Sequence, residues 1–167
     1  VHQETRDLAA DHRQSGGRQR ADLHLPGQVP GRVRPWPGGS GTIPHEKCAW
    51  SWEGSGSDVC TPLLYGDNLY VLDGDKKEMT CLAATTGKVK WSSKLEAKGP
   101  FRASPTGADG KIYLLSEGGD YIVLAAGDEF KELFRLPTGA SPCRSSIVAA
   151  NGSLYLRIYG LLICVRK

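Results

Sequence analysis

Thr61-Pro62-Leu63-Leu64-Tyr65-Gly66-Asp67-Asn68-Leu69-Tyr70-Val71-Leu72 decides the fold, because its landmarks return twice farther along the chain. Leu69-Tyr70 recurs as Ile112-Tyr113 and Leu154-Tyr155, at steps of 43 and 42 residues. Thr61-Pro62 recurs as Ser104-Pro105 and Ser146-Ile147 at the same two steps. Leu82, Leu124 and Cys164 follow at 42 and 40. Three independent landmarks keeping one step define a repeat of about 42 residues.

Each repeat parses into short strands. Pro62–Tyr65 and Leu69–Leu72 flank Gly66-Asp67-Asn68; Ser104–Thr106 and Lys111–Leu115 flank Asp109-Gly110; Ser146–Ala149 and Ser153–Arg157 flank Asn151-Gly152. Asp-Gly and Asn-Gly between apolar runs signal hairpins, because both central residues of a type I′ turn need positive φ. Second reversals stand at Gly74-Asp75, Gly118-Gly119 and Tyr159-Gly160, followed by third strands at Met79–Ala83, Tyr121–Ala125 and Leu161–Val165. Fourth strands read at Lys88–Ser92 and Lys131–Arg135, and no amphipathic helix is legible. Four antiparallel strands in about 42 residues is the arithmetic of a β-propeller blade. The fold class is therefore all-β, a partial propeller.

Upstream the pattern stops. Residues 1–47 hold all four His, six of the Arg and half of the ten Pro of the 167-residue chain, and neither a helical nor a strand period. Pro26, Pro30, Pro35, Pro37 and Pro44 interrupt any element of normal length. Such a stretch cannot bury enough surface to offset its chain entropy, so it reads as disordered. Its composition fits two origins, a basic linker or a stretch translated out of frame. Residues 48–167 form the propeller part.

Leu82-Ala83-Ala84-Thr85-Thr86-Gly87-Lys88-Val89-Lys90-Trp91 resembles the quinoprotein-type (PQQ-like) propeller repeat, whose core reads Asp-x-x-Thr-Gly-x-x-x-Trp. Thr86, Gly87 and Trp91 match, while Ala83 replaces the Asp. Thr-Gly suits a tight turn, and the Trp is a wedge between blades. Trp50 lies 41 residues before Trp91, which makes Cys48–Trp52 the fourth strand of a preceding blade. The second unit has Gly127-Asp128-Glu129-Phe130 instead, with no Trp after it. One stray fourth strand, two full blades and a three-stranded blade read as the C-terminal part of a larger ring, since closed propellers usually need at least four blades. The resemblance implies a bacterial, periplasmic or extracellular parent.

For chemistry, the balance of 21 basic against 18 acidic residues does not indicate a nucleic-acid partner. No apolar run is long enough for a transmembrane helix. No His follows His45, so the repeats hold no His-based triad or metal cluster, and no two of the five Cys are spaced Cys-x-x-Cys. Cys81 and Cys164 read as buried packing thiols. Arg102 and Arg144, 42 apart, each lie two residues before a first strand. In a propeller that loop opens near the axis, so the two guanidiniums read as an anion or peptide-carboxylate site at the channel mouth. The plainer reading is a solvated arginine, or one paired with a neighbouring loop. The functional expectation is a non-catalytic binding scaffold for a protein or polymeric ligand on the propeller face, with no cofactor and no metal. The alternative is a fragment of a quinone-dependent dehydrogenase, which would carry pyrroloquinoline quinone with calcium.

Overall fold

The computed structural model of the protein describes residues 31–32, 49–56 and 59–166. All regular structure among them is β. β1 (Gly31–Arg32) and β2 (Glu53–Gly54) form a two-residue ladder. β3 (Leu63–Tyr65), β4 (Asn68–Asp73), β5 (Glu78–Ala83) and β6 (Val89–Lys94) form the first four-stranded antiparallel sheet, in chain order. β7 (Thr106–Ala108), β8 (Lys111–Leu115), β9 (Asp120–Ala125) and β10 (Glu132–Pro137) form the second. β11 (Val148–Ala150), β12 (Ser153–Ile158) and β13 (Leu161–Arg166) form a third sheet of three strands.

The turns set the registers. Asp109 and Gly110 have φ of 50° and 67°, Asn151 and Gly152 have 50° and 68°, so both hairpins close through two residues in the left-handed region. A two-residue turn carries pairing up to its flanks. The first strands of the second and third units therefore sit at Thr106–Ala108 and Val148–Ala150, about two residues later than the sequence pattern alone places them.

Stacking of the sheets explains the burial. Along β4 every residue is buried, and alternate side chains go to different cores. Leu69 and Val71 join Leu82 against Trp50 and Trp52, whereas Tyr70 and Leu72 join Met79, Cys81, Ile112, Leu114, Ile122 and Leu124. Strand β8 divides likewise: Ile112 and Leu114 face the first sheet, Tyr113 and Leu115 pack with Leu156 and Ile158 of the third. The two-residue period thus places the second sheet between two sheets, and the first between the second sheet and Trp50 and Trp52. Each fully buried Leu or Ile contributes on the order of 2 kcal/mol. The third sheet is covered on one face, and all six residues of β13 are exposed.

Two expectations change here. Ala49–Trp52 carry no strand; the pairing nearby is at Glu53–Gly54, because its partner is Gly31–Arg32 and not a blade. Cys48, and the residues 1–47 read as disordered apart from Gly31–Arg32, lie outside the described residues. Cys164 is exposed on β13, since nothing described pairs beyond that strand, while Cys60, Cys81 and Cys143 are buried.

Candidate functional site

The first strands lie side by side in succession, β3 against β7 and β7 against β11, which makes them the inner wall shared by the three sheets. Each loop entering a first strand is tied back to the preceding sheet. Phe101 N–H donates to Gly74 O at 2.9 Å, and Cys143 N–H to Glu117 O at 2.9 Å. Phe101 and Cys143 are themselves buried, so both loops are anchored by apolar burial as well.

This anchoring gives the two predicted arginines one environment. Arg102 Nη2 donates to Asp75 Oδ1 at 2.7 Å, and Arg144 Nε donates to Glu117 Oε1 at 2.6 Å. Both carboxylates sit 27 residues before their arginine, on the turn between the second and third strands of the preceding sheet. The Arg144 side chain is 71% exposed and the Arg102 side chain 30%. Both are thus paired inter-blade arginines at repeat-equivalent places on one face.

Beside them runs a ladder that the sequence showed only as a repeat landmark. Thr61 N–H donates to Ser104 Oγ at 2.9 Å, and Ser104 N–H donates to Ser146 Oγ at 3.0 Å. The loops entering β7 and β11 so each lend a hydroxyl to the loop entering the preceding inner strand.

The repeat-motif residues form wedges between sheets. Trp50 Nε1 donates to Ala84 O at 3.0 Å, and Trp91 Nε1 donates to Gly127 O at 3.1 Å. Each indole is therefore bound to the third-to-fourth turn of the following sheet. Gly87, with φ of 71°, lets that turn pass under Trp50: a Cβ there would lie 2.4 Å from the ring. Thr86 Oγ1 accepts Lys88 N–H at 3.3 Å and closes the turn. In the second sheet Phe134 occupies the place of Trp91, because Val123↔Phe134 repeats the register Cys81↔Trp91. A β-bulge precedes both aromatics, leaving Lys90 and Leu133 as the extra residues. Lys90 Nζ reaches Asp128, whose other partner is Asn68 Nδ2 at 3.0 Å. The Lys90 hydrogen bond, then that of Asn68, holds the Asp128 carboxyl below its ordinary range.

Other carboxylates are also used locally. Asp73 Oδ1 accepts Lys76 N–H at 2.9 Å, Asp109 pairs with Lys111, and buried Asp120 accepts Lys98 N–H. Among the described residues no three His, Cys, Asp or Glu side chains gather as a metal-holding group. Asp73, Asp75, Asp109, Glu117, Asp120 and Asp128 are each engaged by lysine, arginine, asparagine or backbone N–H groups. No helix among them is long and apolar enough to cross a membrane.

Residues 27–136, about two thirds of the chain, match the profile of a family described as outer membrane protein assembly factor BamB. The chain belongs to that family. The match starts at residue 27 and so includes part of the Pro-rich stretch as well as both four-stranded sheets up to Leu136 of β10. The structure of BamB from Moraxella catarrhalis is similar to the BamB-like chain with a TM-score of 0.55 at 16% identity, over 71% of this chain and 36% of that one. Quinohemoprotein alcohol dehydrogenase ADHIIG from Pseudomonas putida HK5 gives a TM-score of 0.59 at 14% identity, over 83% and 27%. The chain thus spans about a third of the length of these structures, and the likeness is one of fold. None of the curated proteins matches the sequence.

Proposed function

We propose that the BamB-like chain is part of a non-catalytic propeller that binds a protein partner on the face carrying Arg102 and Arg144, in the periplasm of a bacterium. The observation that carries this reading is the pair of arginines held at equivalent positions by the same inter-blade contact. An enzyme of the quinone type needs convergent carboxylates for its ion and its base, and here Asp75 and Glu117 are committed to the arginines. Family membership favours an assembly role over turnover.

The test is photo-cross-linking in a Gram-negative host, with the probe at position 144 or at position 151 on the opposite turns. A discrete protein adduct from 144 and none from 151 is expected. Adducts from 151 alone, or from neither, overturn the reading. So does stoichiometric retention of pyrroloquinoline quinone with calcium and turnover of simple alcohols.

A further inference from the structure

Ser104 and Ser146 each stand two residues after an arginine, in the loops that lead into the neighbouring inner strands β7 and β11. Each Oγ accepts one backbone N–H, and neither hydroxyl donates to a protein acceptor among the described residues. A hydroxyl has one proton, which is left for solvent or a ligand. Accepting the N–H polarises that O–H and strengthens it as a donor.

The guanidiniums are also only partly used. Arg102 spends Nη2 on Asp75, and Arg144 turns Nε and Nη2 onto one oxygen of Glu117. Of five N–H donors per guanidinium, the remaining ones have no protein partner among the described residues. The ion pairs fix both groups in position, which lowers the entropy lost when a ligand engages them. In the first unit the arginine position is Val59 and the serine position Thr61, so the doubled arrangement is confined to two consecutive units.

We infer that this face binds an acidic peptide segment through two carboxylates, one at Arg102–Ser104 and one at Arg144–Ser146. The inference rests on the binding-module reading above and names the chemistry of the partner. Unengaged donors at both places call for acceptors, and a carboxylate accepts bidentately from hydroxyl and guanidinium together. Asp75 and Glu117 already balance the arginine charges, so recognition comes from directed hydrogen bonds and falls only weakly with salt. A bare basic patch would be screened strongly.

The probe is a fluorescein-labelled decapeptide with two Glu, compared with its Gln counterpart, titrated into the 167-residue chain and read by anisotropy. The Glu peptide is expected to bind at least about tenfold more tightly. Ser104→Ala with Ser146→Ala should weaken it about tenfold, and Thr at both positions should restore it. Should the alanine pair fail to fold, the exposed Arg144→Gln carries the same expectation. Equal binding of both peptides, no binding, indifference to these substitutions, or collapse of affinity at physiological salt overturns the inference. A chain that cross-links from position 144 but ignores the Glu peptide loses this inference and keeps the scaffold reading; loss of the cross-link removes the scaffold reading itself.

Discussion

The interface between the first and second sheets and that between the second and third are built at the same repeat positions with different contents. In the former, Trp91 lies edge-on to Phe130 at 5.4 Å, 6.0 Å from Tyr70, and is bonded to Gly127 O. Tyr70 is fully buried, and its OH accepts Gly127 N–H at 2.9 Å. In the latter, Phe134 meets Tyr121 at 6.3 Å and is 51% exposed. The difference teaches what the tryptophan is for. Its indole needs both the apolar cover and the carbonyl acceptor of the next sheet's third-to-fourth turn. Where the described residues provide no such turn, a phenylalanine without an N–H holds the place.

That comparison breaks most readily by truncation. Trp91→Ala should cost about 3 kcal/mol, losing packing and a hydrogen bond, and Phe134→Ala only about 1 kcal/mol, as a half-exposed ring. Urea unfolding of both variants measures it. Equal losses would mean that the two interfaces carry the same load despite their different cover.

Alkaline titration sharpens the same contrast. Burial raises Cys81, at the centre of the first interface, from its ordinary 9.0 to about 11. Its unfolded thiol deprotonates first, so the unfolded state binds fewer protons there and stability falls as pH rises from 9 towards 11. Cys81→Ala should flatten that decline. Cys143 in the second interface is raised by burial too, and Cys143→Ala should change the slope less. A slope that neither substitution alters would assign the alkaline loss to the tyrosines, of which Tyr70 is raised and half-buried Tyr121 is raised to about 12, both chiefly by desolvation.

The smallest effect belongs to Asp128. With its carboxyl lowered chiefly by Lys90, its contribution is present above the ordinary carboxylate range and lost as pH falls through the lowered value. Asp128→Asn should trim the acid-side loss of stability slightly and leave neutral stability nearly unchanged, because the pair is exposed and solvent-screened. A large effect at neutral pH would show that Asn68, whose Oδ1 is buried without a partner, depends on Asp128 for its placement.

Much of this is legible in the sequence. The repeat length, the four-strand unit, the Gly87 turn and the Trp91 wedge follow from local rules, since turn chemistry and a two-residue apolar period are properties of neighbouring residues. Arg102 and Arg144 were found as a spacing, and equivalence of position is all that spacing reports. Their partners Asp75 and Glu117 keep the same 42-residue step, but the change from Asp to Glu masks it, and no local rule joins residues 27 apart across two sheets. Phe134 escaped because the bulge at Leu133 hides its register behind a change of residue type.

By itself the sequence determined that the chain alternates short strands and tight turns at a fixed step. It also placed aromatic wedges and arginines at equivalent stations. Only the tertiary structure decided which donors are spent and which remain open: the arginines paired, the Ser104 and Ser146 hydroxyls still able to give a proton, Cys164 outside and Cys60 and Cys143 within. The physical reason is that hydrogen-bond satisfaction and burial belong to pairs of surfaces. A strand's own residues set which face they lie on, but the neighbouring sheet determines whether that face meets protein or water.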